Sequence, residues 1–111
     1  MRQPRVELLW WEGCPSTDEA LAILRDEMSA LGLDSDAIDV REVSTEADAE
    51  REQFIGSPTI RVDGRDVQPL PDEPIGLACR VYRLPDGRIS PLPDRTEVRH
   101  TLEEAMRGGD E

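Results

Sequence analysis

A run of partly alternating character, Arg5-Val6-Glu7-Leu8-Leu9-Trp10, gives way across Trp11-Glu12-Gly13-Cys14-Pro15 to apolar residues three and four apart at Leu21, Leu24, Met28 and Leu31. The first pattern, bounded by Pro4 and Gly13, predicts a strand. The second is one face of a helix, with Gly32 as its stop. Pro15 suits the first helical position, which places Cys14 at the N-cap. The alternation then repeats. Ile38–Val43 reads as a second strand, and the Ala- and Glu-rich stretch from Ser44 to Phe54 as a short helix opened by Ser44 or Thr45. Gly56-Ser57-Pro58 breaks that helix, and Thr59–Val62 and Arg65–Val67 flank Asp63-Gly64, a two-residue hairpin signal. A second hairpin is expected from Ala78–Arg83 through Pro85-Asp86-Gly87 to Arg88-Ile89. Asp94-x-x-Glu97 opens a last helix with Val98, Leu102, Ala105 and Met106 on its apolar face before Gly108-Gly109. The order is β-α-β-α-β-β-α with an inserted hairpin before the last helix, which argues for an α/β domain layered around one small sheet.

With 111 residues there is room for one core, so residues 1–111 read as a single domain. The net charge is −12, and a field of that sign repels phosphate backbones and anionic lipid, so no nucleic acid and no membrane partner is expected. All 13 basic residues are arginine, which excludes a Schiff-base lysine and a Walker-type phosphate lysine. No apolar run approaches the roughly 20 residues that span a bilayer. Met1–Arg5 leads into a stretch broken by Glu7, Glu12 and Gly13, which does not read as a secretory signal, so a cytoplasmic location is expected. Two cysteines and one histidine, His100, fall short of the four ligands of a structural zinc site, so no metal and no organic cofactor is expected. His100 reads as a solvated surface residue.

The chemistry concentrates at Cys14. A sulfur at a helix N-terminus faces free N–H groups and the positive end of the dipole, both of which favour thiolate, the nucleophilic form. Asp18 and Glu19 in the first turn oppose this. Cys79 has two readings: a buried core residue on a hairpin strand, or a resolving thiol that folds back over the active-site end from the Pro-rich linkage before it. Trp10 and Trp11, adjacent at a strand end, point to opposite faces, one into the core and one as a lip over the site. Asp63 and Asp66 read as turn residues, and Arg80, Arg83 and Arg88 as exposed decoration of the second hairpin.

Trp11 and Gly13-Cys14-Pro15 after the first strand, with Gly56-Ser57-Pro58-Thr59 before the hairpin, resemble the thioredoxin-like superfamily over roughly residues 5–68 and again in the final helix. The resemblance implies that Cys14 is the nucleophile, that Pro58 is a cis-proline, and that Ser57 faces the thiol and binds the substrate backbone. Thr17 stands where a dithiol thioredoxin has its second cysteine, which makes Cys-x-x-Cys cycling impossible; a hydroxyl there can donate to the thiolate, as in monothiol relatives. The chain is also similar to a small group labelled with the alkylmercury lyases, through Gly-Cys-Pro, Ser-Pro-Thr and Gly-Leu-x-Cys-Arg-Val-Tyr. That enzyme cleaves carbon–mercury bonds with two cysteines and an aspartate and is much larger. Asp18 is one residue out of phase for that role, a rotation of roughly 100°.

The expected function is a thiol-dependent oxidoreductase or thiol-exchange protein. Cys14, Thr17 and Cys79 form its catalytic set, Trp11, Ser57 and Pro58 its substrate-binding set, and a small thiol or protein disulfide is its partner. Two alternatives stand beside it: a non-catalytic binding module on the same fold, and a soft-metal or organomercurial protein using both thiols.

Overall fold

In the computed structural model, which describes residues 3–108, Val6–Trp10 forms β1 at the centre of a four-stranded sheet. It pairs in parallel with β2 (Ile38–Glu42) and antiparallel with β3 (Thr59–Val62), placing Leu8 between Val40 and Ile60. β4 (Arg65–Asp66) extends β3 through the Asp63-Gly64 turn, where both residues take positive φ, 52° and 83°, as a type I′ turn demands. The sheet order is β2-β1-β3-β4.

Alternation along β1 sends Val6 and Leu8 to one face and Glu7 and Leu9 to the other. The first face carries the main core. α1 (Thr17–Ala30) and α3 (Arg95–Gly108) pack on each other and bury Ala20, Leu24, Met28, Val98 and Leu102 over Leu8, Ile60 and Val62. Each of the larger aliphatic side chains contributes about 1.5–3 kcal/mol by leaving water. Glu27, although on the buried face of α1, is matched: Arg99 Nε donates to it at 2.7 Å and Arg95 lies 3.4 Å away, so the pair clamps α1 to α3. On the opposite face α2 (Glu46–Glu52) contributes Ala49, which packs with Leu9, Val43 and Phe54. Glu7 is buried beside them and is bonded by Arg41, which also reaches Glu52 at 2.7 Å. Burial pulls the Arg41 guanidinium down, but Glu52, Glu7 and Asp39 together hold it above its ordinary value.

Local signals place most helix ends. Thr45 caps α2, its hydroxyl accepting from the Asp48 N–H at 3.0 Å, and Asp94 caps α3 by accepting from the Glu97 N–H at 3.1 Å. Gly32, with φ 76°, follows the end of α1. Gly108 is the last residue of α3; Gly109 lies outside the described residues. The start of α1 differs from expectation. The helix begins at Thr17 with Ser16 as N-cap, because a turn closed by Cys14 N–H to Trp11 C=O (3.1 Å) occupies the residues before it. Cys14 therefore precedes the N-cap by two residues.

The second hairpin is shorter than predicted: β5 (Tyr82–Arg83) pairs with β6 (Ile89–Ser90) as a separate two-stranded sheet. Ala78–Val81 is not a hairpin strand; it is a strap laid along the Gly56–Pro58 loop. Among the described residues no helix is long and apolar enough to cross a membrane.

Candidate functional site: a thiol pair under a strap

Ser57 is the node of the site. It is fully buried, and each of its polar groups is used. Its hydroxyl accepts from the Trp11 N–H at 3.0 Å, which fixes the end of the β1 extension. Its own N–H donates to the Ala78 carbonyl at 2.7 Å, and its carbonyl accepts from the Arg80 N–H at 3.0 Å. Those two bonds make an isolated parallel bridge between Ser57 and Cys79. The same carbonyl accepts from the Cys14 thiol at 3.4 Å, a bond that exists only while Cys14 carries its proton. The Ser57–Pro58 peptide is cis, as the resemblance implied.

The strap is fastened on both sides of the bridge. Upstream, the Gly76 N–H donates to the Phe54 carbonyl at 3.0 Å. Downstream, the buried Tyr82 hydroxyl donates to the Pro58 carbonyl. Burial pushes the Tyr82 phenol well above its ordinary range, so it keeps its proton for that bond. Arg80 is the principal anchor and corrects the sequence reading of an exposed residue. Its side chain is 1% exposed, donates to Asp66 Oδ2 at 2.7 Å and to the Gln68 carbonyl at 2.9 Å, and lies 4.2 Å above the Tyr82 ring. Asp66 is thus the counter-ion of a buried arginine as well as a turn residue, its other oxygen accepting from the Gln68 N–H at 2.8 Å. Arg83, Arg88 and His100 are exposed, as expected.

Held this way, Cys79 is exposed while Cys14 is 5% exposed, so the buried-core reading of Cys79 does not hold. The Cys79 sulfur lies 3.9 Å from the Gly13 carbonyl oxygen and faces Cys14. Its hydrogen bond to Cys14, then burial, then the charge on Cys14 push the Cys79 thiol up to about 11. Both cysteines are unbridged.

Gly13 owes its identity to Trp11. A Cβ at Gly13 would stand 2.3 Å from the Trp11 ring, so only glycine lets the indole fold back over the turn. Trp11 packs against Phe54 and Leu9, whereas Trp10 packs into the main core, so the two rings do take opposite faces. On the far side of Cys14 a cleft of about 360 Å³ is walled by Trp10, Leu21 and Val40, with Glu12 and Asp18 at its rim. Thr17 also lines it; its hydroxyl is shut from water and has no partner among the described residues. Among those residues no group of three or more His, Cys, Asp or Glu side chains gathers to hold a metal. The residues singled out from the sequence, Cys14, Thr17, Cys79, Trp11, Ser57 and Pro58, lie together in this region; the burial of Arg80 against Asp66 and the part of Val40 in the cleft carry no local signal.

Comparison with family models, with curated proteins and with solved structures found no significant match to this chain.

Proposed function

We infer that this chain is a thioredoxin-like thiol–disulfide protein in which Cys14 attacks and Cys79 resolves. The observation that carries the reading is the facing pair of thiols, one buried and one exposed, brought together by backbone bonds from a single residue, Ser57. The element order and the seating of the Ser57-Pro58 loop beside the Gly13-Cys14-Pro15 turn support the likeness.

The two thiols divide the work. A thiol pushed up to about 11 keeps its proton at neutral pH, which suits Cys79 to the resolving role, while Cys14, which lines the cleft, is the thiol that an incoming disulfide meets there. Cys14 thiolate attacks one sulfur of a disulfide, forming a Cys14 mixed disulfide and expelling a thiolate that takes up a proton. Cys79 then loses its proton and attacks the Cys14 sulfur, expelling the second thiol. The substrate disulfide is reduced to two thiols and the protein is oxidised to a Cys14–Cys79 bridge. The Thr17 hydroxyl, which has no partner among the described residues and belongs to a residue lining the same cleft as Cys14, supports a donor role toward a charged sulfur.

The test is mass-spectrometric mapping after mild disulfide oxidant. The expected product is an intramolecular Cys14–Cys79 bridge, absent in Cys14→Ser and in Cys79→Ser. Recovery of two free thiols from the wild type, under conditions that oxidise a simple dithiol, would sink the reading.

A further inference from the structure

The cleft beside Cys14 has a chemical character that the thiol pair alone does not specify. Its inner wall is apolar: Trp10 from the end of β1, Leu21 from α1 and Val40 from β2. Val40, on the edge strand β2, is 42% exposed, so it offers apolar surface to the cleft. Every charged residue at the rim is acidic, and no arginine lines the cleft. Among the described residues neither Glu12 nor Asp18 has an ion pair, so both charges face whatever enters.

We propose that this cleft selects small cationic sulfur compounds, aliphatic amines carrying a disulfide, over anionic thiols such as glutathione. The reactive sulfur meets Cys14, the methylene stem lies on Trp10, Leu21 and Val40, and the ammonium stands between Glu12 and Asp18. A carboxylate-bearing thiol in the same position meets two like charges and no arginine. The proposal rests on Cys14 being the nucleophile, and its test separates the two ideas.

The probes are cystamine (a dication), 2-hydroxyethyl disulfide (neutral) and 3,3′-dithiodipropionate (a dianion). Each reacts with the full chain and, in parallel, with N-acetylcysteinamide, a small neutral thiol that has no cleft. Oxidation of Cys14 is followed by quenched mass spectrometry. Two carboxylates lining the cleft, at physiological screening, favour the dication over the dianion by about tenfold more than the small thiol does. The paired substitutions Glu12→Gln and Asp18→Asn should remove most of that excess. Glu50→Gln with Glu104→Gln, two exposed carboxylates outside the cleft, changes net charge equally and should retain it.

Probe ratios equal to those of N-acetylcysteinamide would overturn the cationic selectivity and leave the nucleophile standing. Equal loss in both double variants would assign the preference to net charge and overturn the cleft. A Cys14 that fails to react even with the neutral disulfide would bring down the thiol reading and this proposal together.

Discussion

Gly56→Ala tests whether the strap holds the thiol pair. Gly56 has φ 132°, where an L-residue costs about 1–3 kcal/mol of backbone strain. Its new Cβ would also stand 2.8 Å from Arg80 Cβ and 3.0 Å from Arg80 N. Part of that clash is with backbone, which no rotamer change relieves, so the strap itself must move. The movement breaks the Ser57 N–H to Ala78 bond and the Arg80 N–H to Ser57 bond, worth about 0.5–1.5 kcal/mol each. Strain and lost bonds together destabilise by about 2–6 kcal/mol. The middle of that range is below the roughly 5–15 kcal/mol of an ordinary domain, so the variant is expected to be weakened but folded at 25 °C.

Two assays read the effect. Urea unfolding followed by tryptophan fluorescence gives the stability loss. Disulfide-driven formation of the Cys14–Cys79 bridge gives the placement of Cys79 and should slow by an order of magnitude or more, since the bridge to Ser57 is what seats that residue. A loss below about 1 kcal/mol together with unchanged bridge formation would refute the argument. The strap would then be a bystander to the thiol pair.

Cys79 alkylation by iodoacetamide should rise only near pH 11 in the wild type, and Cys14→Ser should return it toward the free-cysteine value of about 8.5, because Cys14 is the leading cause of the shift. The same raised value predicts a stability contribution that is intact below about pH 8.5 and lost as pH rises through 11, so denaturant midpoints of wild type and Cys79→Ser should diverge in that window, the wild type losing more. Arg80→Met leaves the Asp66 carboxylate and the Gln68 carbonyl without their buried partner and should cost about 3–5 kcal/mol in urea unfolding, with Asp66→Asn milder because it keeps an acceptor. Gly13→Ala should expel the Trp11 indole from its seat over the turn, seen as a shift in tryptophan emission, at a smaller cost because a ring can swing where backbone cannot.

The elements are legible because their signals are local. Residue spacing marks α1 and α3, Thr45 and Asp94 mark two caps, and Asp63-Gly64 marks a turn whose positive φ values few other pairs adopt. The start of α1 is less so, because Pro15 at the first helical position is only a preference, and the Cys14–Trp11 turn takes those residues. The strap is hidden for a physical reason. Ala78-Cys79-Arg80-Val81 alternates like a strand, but its backbone partner is a single loop residue far back in the chain. Arg80 reads as surface because its burial depends on Asp66, a carbonyl and a ring that only the tertiary fold assembles. The seating of Cys14 beside the Ser57-Pro58 loop is legible from motif residues; the position of the Cys79 sulfur is not.

The unequal exposure of the two sulfurs decides how a Cys14–Cys79 bridge would be reopened. Exchange depends on which sulfur is attacked and on access to it. Cys14 is enclosed by Ser57, Trp11 and the start of α1, whereas Cys79 stands at the surface between two anchors, Gly76 and Arg80. A reducing thiolate in bulk solution therefore meets Cys79 first, and Cys14 is the leaving group. On the proposed reading, substrate enters through the cleft on one side of Cys14 and reductant arrives from the strap side, so the two half-reactions use different faces of the pair. Limited exposure of the oxidised protein to a small neutral thiol, quenched with acid and mapped, should place the adduct on Cys79. An adduct found chiefly on Cys14 would mean that the cleft serves both half-reactions, and the strap would then only store the second sulfur without directing the attack.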